Sequence, residues 1–347
     1  INGTVQGTTT ELTSSGAIAE GNAGIIKATT LTGSSAGDTT LAGANQIGTL
    51  AQFSAVNFSL VNAAALTVQG PLVTTGNISL TTTGPGNVLS VGQTLTGGMI
   101  SLASAGDLSV VRAIQGTTIN LTANGNLAID AAVNSGSGVT TLVQNGAAGT
   151  ISQSSTGTIT AGTLTGAAQG SVALTGANAI ANLGDFTAAG FSLTNASALT
   201  VTAGSTVDGG DSTALKTGGD LTLDGNVKGT LTSLVSSGAI NEGSQGTVTA
   251  GILTGSAAHG VQLTGSNAVN NLGNFKANGL ALTNGQALTV MAGTTVDGGA
   301  NTALTVTGSN GNLTIDGTLK GTTTTLKASG AIDEGAQGAL IAGTLTG

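Results

Sequence analysis

The sequence predicts an all-β protein whose short strands stack as the successive coils of a parallel β-solenoid, an elongated rod. Three observations predict this fold class. The segment ALTVTAGSTVDGG at 198–210 returns as ALTVMAGTTVDGG at 287–299. Gly, Thr and Ser occur throughout, and no apolar stripe of helical period is sustained. With 59 Gly, five Phe and no Trp or Tyr, the composition does not suit the core of an ordinary globular domain.

Further phrases return at the same offsets. GAIAE at 16–20 recurs as GAINE at 238–242 and GAIDE at 330–334, and a weaker version, GTISQ, lies at 149–153. Each coil of a solenoid contacts only its neighbours, so such copies follow one another without a domain boundary. We therefore expect one continuous solenoid over residues 1–347, with internal copies at 16–148, 149–237 and 238–329 and a partial copy at 330–347.

The first copy is longer than the others by about two coils of about 20 residues each. The pattern Ile-x-Leu marks these coils, at 78–80, 100–102 and 119–121. Alternation of apolar and polar residues, flanked by Gly, Asn or Ser, is typical of a strand with one buried face. A copy that gains whole coils in this way favours a solenoid over a globular fold.

The predicted interior holds small or branched apolar residues and a few stacked rings. Phe53, Phe186 and Phe275 share one repeat position; Phe58 and Phe191 share another, where the third copy has Leu280. The interior also includes Leu66, Val68, Leu199, Val201, Leu288 and Val290. The recurrent Asn45, Asn178 and Asn267 suit either inward-facing ladders or left-handed corners, and the sequence leaves both open.

Acidic residues before paired glycines raise the question of calcium. Asp208 and Asp297 each precede Gly-Gly, but the nonapeptide register of calcium-binding β-rolls is absent, and Asp-Gly is a common turn pair. We align Thr75 of the first copy with Asp208, so the acid is dispensable. Corners are therefore the leading interpretation, with calcium at Asp208 and Asp297 as a lesser one. Ice binding is disfavoured because the Thr residues drift between positions.

Catalytic patterns are weak. GSSAG at 33–37 matches the G-x-S-x-G nucleophile elbow, but no helix is predicted after it, and the other copies have Ala168 and Ala257 at the position of Ser35. His259 is the only histidine. Glu20, Glu242 and Glu334 lie about four coils apart, too far for a carboxylate pair. We expect no enzymatic activity, no cofactor and no resident metal.

Charge and hydropathy limit the partners. The net charge is −8, charged residues make up 6% of the chain, and there is no Cys. An acidic, sparsely charged surface disfavours nucleic acid. Polar residues interrupt every apolar run, so we predict no membrane span in this segment. The chain begins at Ile1 without a signal peptide pattern, and we expect it to be a fragment of a longer protein.

The phrases GNISLTT, SAGDLSV and GTTINLTANGNLAIDAAV resemble the repeats of filamentous-haemagglutinin-like exoproteins, the large adhesins of the two-partner secretion family. The likeness covers most of the chain and lies in the style of its repeats. It implies a right-handed parallel β-helix, export through an outer-membrane partner, and a secreted or cell-surface location in bacteria.

The leading hypothesis is a non-enzymatic stalk of a secreted bacterial surface adhesin, whose partners are host or bacterial surfaces. The alternative is a self-assembling extracellular fibre, sheath or surface-layer component, whose partners are copies of itself. A calcium- or ice-binding solenoid comes third.

Overall fold

The computed structural model describes residues 1–347, and every regular element in it is a β-strand. All of the strand pairings described below are parallel. The strands form the stacked coils of a β-solenoid with about 16 turns of about 21 residues each. The all-β solenoid predicted from the sequence is confirmed, with a coil close to the expected length.

The chain divides into two compact units, Ile1–Ala179 and Ile180–Gly347. The strands up to the division are β1 (Thr4–Ser14), β2 (Ile18–Ala19), β3 (Ile25–Ser35), β4 (Thr39–Ala55), β5 (Phe58–Asn62), β6 (Leu66–Val68), β7 (Leu72–Thr74), β8 (Ile78–Thr82), β9 (Leu89–Val91), β10 (Leu95–Thr96), β11 (Met99–Ser104), β12 (Leu108–Val110), β13 (Ile114–Gln115), β14 (Thr118–Ala123), β15 (Leu127–Ile129), β16 (Ala132–Asn134), β17 (Val139–Gln144), β18 (Ile151–Gln153), β19 (Thr158–Ala168) and β20 (Ser171–Thr187), which includes the division.

The remaining strands are β21 (Gly190–Asn195), β22 (Leu199–Val201), β23 (Thr206–Asp208), β24 (Ser212–Thr217), β25 (Leu221–Leu223), β26 (Asn226–Ser236), β27 (Ile240–Glu242), β28 (Thr247–Ala257), β29 (Val261–Lys276), β30 (Leu280–Asn284), β31 (Leu288–Val290), β32 (Thr295–Asp297), β33 (Asn301–Val306), β34 (Leu313–Ile315), β35 (Thr318–Ala328), β36 (Ile332–Glu334) and β37 (Ala339–Thr346).

Apolar side chains stack on like side chains one coil away, because the strands pair in register. One column of the first unit runs Phe58, Ile78, Ile100, Ile119, and another runs Leu66, Leu89, Leu108, Leu127, Ile151. All of these side chains are buried. The alternation of buried and outward residues along each strand follows from the period of two, so each coil contributes only a few inward side chains.

All five Phe rings are buried, two in the first unit and three in the second. Phe53 and Phe58 pack with ring centroids 4.8 Å apart at 57°, and Phe186 and Phe191 pack at 4.7 Å and 43°. A Cβ on Gly255 would lie 2.2 Å from the Leu234 carbonyl oxygen and 2.8 Å from the Phe275 ring. Only glycine leaves room for the ring at that point.

Candidate functional site

The recurrent Asn45, Asn178 and Asn267 side chains are fully buried. Their Oδ1 atoms accept hydrogen bonds from backbone N–H groups one coil earlier, at 2.6, 2.8 and 2.6 Å, donated by Ile26, Ile159 and Val248. The one non-glycine residue with positive φ is Asn310. Of the two alternatives left open by the sequence, the structure has the inward-facing arrangement.

A second set of buried asparagines was not identified from the sequence. Asn62, Asn195 and Asn284 each accept from a backbone N–H at 2.8 Å and donate to the carbonyl of the same residue, which is Ile47, Ile180 and Val269 in turn. In the first and third copies these asparagines lie where a long strand changes its pairing partner, as where β4 passes from β5 to β6. The side chain replaces the missing strand-to-strand bonds. The shared pattern S/A-L-x-N at 59–62, 192–195 and 281–284 was the available signal.

The recurrent glutamates contact these asparagines. Glu20 Oε2 accepts from the Gly43 N–H at 2.7 Å and from Asn45 Nδ2 at 3.0 Å. Glu242 Oε2 accepts in the same way from Gly265 and Asn267. Burial raises the pKa of Glu242, against the lowering effect of these two hydrogen bonds. Glu334 is exposed on β36.

The middle copy has glutamine in the same role. Gln153 Oε1 accepts from the Gly176 N–H at 2.9 Å and from Asn178 Nδ2 at 3.1 Å. The glutamates and Gln153 therefore connect one coil to the next. None of the recurrent glutamates is paired with a second carboxylate, as acid–base cleavage requires.

Asp208 and Asp297, the possible calcium ligands, are each engaged at both carboxylate oxygens. Oδ1 accepts from the N–H of Gly210 or Gly299 at 3.0 Å, and Oδ2 lies 3.0 Å from Lys228 or Lys320 Nζ. The Gly299 N–H and then Lys320 lower the pKa of Asp297. Partial burial opposes ionisation of Asp208, but the bonds from Gly210 and Lys228 still lower its pKa. No group of three or more His, Asp or Glu side chains is placed to hold a metal ion.

The alignment of Thr75 with Asp208 is wrong. Thr187 next to Phe186 pairs with Asp208, and Ser54 next to Phe53 pairs with Val73. Val73 therefore takes the position of the aspartate, and its side chain is 52% exposed. The error arose because ALTVQGPLVTTG in the first copy has a shorter corner before its next strand.

The G-x-S-x-G pattern at 33–37 does not form a nucleophile elbow. Ser35 is buried at the end of β3, where its Oγ donates to the Gly37 carbonyl at 2.7 Å and lies 2.8 Å from Thr39 Oγ1. No helix follows it. His259 is exposed between β28 and β29. Ser35 thus caps a turn within its own coil.

At an exposed corner of the first unit, side-chain oxygens in successive coils each accept a hydrogen bond from the next coil. Asp38 Oδ1 accepts from Asn57 Nδ2 at 2.8 Å, Asn57 Oδ1 accepts from the Asn77 N–H at 2.7 Å, and Asn77 Oδ1 accepts from the Met99 N–H at 2.9 Å. In each step the oxygen satisfies a donor one coil later. The same device recurs in the second unit where Asp220 Oδ1 accepts from the Ala239 N–H at 2.7 Å.

Open surface depressions recur at one repeat position, one in the first unit and two in the second. Each crosses a Gly-Thr pair, and the neighbouring coil contributes further small or polar residues. The pairs are Gly7-Thr8, Gly229-Thr230 and Gly321-Thr322. The side chain before each pair is Gln6, Lys228 or Lys320, and both lysines are already paired with aspartates. We name these three depressions the Gly-Thr grooves; their chemistry suits weak, polar surface contact.

No helix in the structure has the length and hydropathy needed to cross a membrane. Protein families, curated proteins and solved structures were all compared with this chain, and none matches it.

Proposed function

We propose that the protein is a non-enzymatic structural stalk of a secreted bacterial surface adhesin. One observation carries the proposal: recurrent polar side chains, among them glutamates and aspartates, join adjacent coils. Glu242 and Asn267 bond across coils, as do Asp297 and Lys320. A chain with this use of its polar residues is suited to mechanical support rather than to turnover of a substrate.

The resemblance to filamentous-haemagglutinin-like repeats supports the same proposal and adds an export route. A β-solenoid of stacked coils is the fold which that resemblance implied. Under this proposal an outer-membrane partner exports the protein, and the mature chain lies at the bacterial surface. Host or bacterial surfaces would then meet its neutral outward faces, with the Gly-Thr grooves as the repeated contact positions.

Negative-stain electron microscopy of the purified protein over a concentration range tests the proposal. A stalk gives single particles whose length does not change with concentration. Filaments that lengthen with concentration would instead support the alternative, a self-assembling fibre, sheath or surface-layer component. Binding of the purified protein to bacterial or host-cell surfaces, measured with a fluorescent label, then tests the adhesive role.

A further inference from the structure

One oxygen of Glu242 is buried without a hydrogen-bond partner. Oε2 accepts from the Gly265 N–H and from Asn267 Nδ2, whereas Oε1 has no partner. Glu20 in the first unit has the same arrangement, with an unpaired, buried Oε1. A buried acceptor without a donor is costly, and native structures contain few of them. Its recurrence indicates that something present in solution satisfies it.

The middle copy shows which group fits. Gln153 Oε1 makes the two bonds that Glu242 Oε2 makes, so Gln153 Nε2 takes the position of the unpaired Oε1. That Nε2 donates to Asn178 Oδ1 at 2.7 Å. The equivalent position in the glutamate copies therefore faces an asparagine oxygen, an acceptor that lacks a donor from this side.

The orientation of Asn267 cannot be reversed to supply that donor. Its Oδ1 already accepts from the Val248 N–H at 2.6 Å. Its Nδ2 donates to the carbonyls of Leu263 at 3.1 Å and Thr283 at 3.2 Å. Turning the amide over would break all of these bonds, so the missing hydrogen has to come from Glu242.

We propose that Glu242 binds a proton in the folded protein and donates it from Oε1 to Asn267 Oδ1, reproducing the Gln153–Asn178 bond. The proton comes from hydronium in the solvent: one O–H bond of hydronium breaks as the Glu242 O–H bond forms, and water is released. Glu242 then joins its own coil to the next by three hydrogen bonds instead of two. Protonation therefore strengthens the contact between the two coils at low pH. We call the protonated Glu242–Asn267 pair the proton latch.

No neighbouring charged group forms an ion pair or hydrogen bond with Glu242. Glu242 lies on β27, between β25 and β29, with β26 and β28 adjoining along the chain. Burial is the main influence on Glu242, and it raises the pKa. No hydrogen bond or ion pair joins Glu242 to the charged and titratable groups of the neighbouring segments, which are Asp220, Asp224, Lys228, His259 and Lys276.

The sign of the effect follows from linkage. A carboxyl whose folded pKa is raised adds stability that is fully present below its unfolded pKa and is lost as pH rises through its folded pKa. Wild-type protein and Glu242→Gln should therefore have similar unfolding midpoints at pH 4. At pH 8 the Gln variant, which keeps its donor, should have the higher midpoint, and the difference should close as pH falls.

The experiment is a denaturation series from pH 4 to pH 8 on the full chain, with Glu11→Gln as control because Glu11 is exposed. A constant difference between wild type and Glu242→Gln at every pH would overturn the proposal. The converse variant, Gln153→Glu, should lose stability as pH rises. If Glu242→Gln fails to fold, ¹³C NMR titration of the wild-type carboxyls decides: a folded-state Glu242 that titrates with the exposed glutamates refutes the latch.

Discussion

Asn267 illustrates how one side chain joins three coils. In the preceding coil, its Oδ1 accepts from the Val248 N–H and its Nδ2 donates to Glu242 Oε2. In the following coil, its Nδ2 donates to the Thr283 carbonyl. The bond to Val248 is buried, and the bonds to Glu242 and Thr283 are part-buried. Because unmade buried hydrogen bonds cost more than made ones contribute, this residue should matter more than an apolar neighbour of equal size.

We expect Asn267→Ala to lower the free energy of unfolding by about 3 kcal/mol, since it removes the acceptor of the buried Val248 N–H and the Asn267 donor to the Thr283 carbonyl. Urea denaturation followed by circular dichroism measures this change. Asn241→Ala is the control, because Asn241 is exposed on β27, and it should change stability by no more than about 0.5 kcal/mol. Equal effects of the two substitutions would contradict the role assigned to Asn267.

The Asp297–Lys320 pair gives a second prediction for single residues. Because the Gly299 N–H is the larger cause of the lowered pKa and Lys320 the next, Lys320→Ala should raise the pKa of Asp297 only part of the way to its ordinary value. NMR titration of the Asp297 carboxyl measures this shift. Lys327→Ala, on the same strand and exposed, should leave it unchanged; full recovery of the ordinary value in Lys320→Ala would mean that Gly299 contributes nothing.

At the scale of the element, the coil is the repeating unit of strand pairing. β8, β11 and β14 pair in register, so Ile78, Ile100 and Ile119 occupy the same place in successive coils. Met99 likewise pairs with Thr118. Joining residue 99 directly to residue 119 therefore removes one coil and leaves the pairing of its neighbours intact.

Deletion of residues 100–118 should give a soluble protein with an unchanged β-sheet circular dichroism spectrum and a single cooperative unfolding transition, because each coil contacts only its neighbours. Size-exclusion chromatography and thermal melts check this. Deletion of residues 100–108 serves as the comparison: it removes less than half of a coil and puts Ser109, from the outward side of its strand, in the inward place of Ile100. This variant should aggregate. If both deletions behave alike, the register does not govern folding.

Many of the strand positions could be predicted from the sequence. The Ile-x-Leu patterns at 78–80, 100–102 and 119–121 lie within β8, β11 and β14, because alternation of apolar and polar residues reflects burial of one strand face. The corner between Val68 and Leu72 was misread, since a corner has no periodicity and can shorten without changing the strands beside it. This is why Val73, rather than Thr75, holds the place of Asp208.

At the scale of the whole molecule, each class of residue has its own place in the coils. Leu, Ile and Val side chains fill most of the interior of the coils, and many Gly and Thr residues lie on the outward corners and faces. Some charged groups are paired across coils, as Asp208 is with Lys228, and others are bonded to backbone N–H groups, as Asp220 is. Others, such as Glu11 and Lys327, are exposed.

We accordingly expect calcium to have no effect on thermal stability. Both oxygens of Asp208 and of Asp297 are already bonded, and a calcium ion needs six to eight oxygen ligands. Differential scanning calorimetry with chelator, with calcium and with magnesium at equal ionic strength checks this. A midpoint that rises with calcium alone would restore the calcium interpretation.

By itself, the sequence determined that the chain folds as an all-β solenoid, because repeats, alternation and small side chains are local properties. Only the tertiary structure decided what the polar repeats do. Asn45 faces inward, Asn62 replaces backbone bonds, and Gln153 and Glu242 occupy one role in different copies. These bonds join residues about one coil apart, and the partner atoms are mostly backbone groups that no residue letter identifies. The proton latch that we propose at Glu242 therefore depends on pairing across coils.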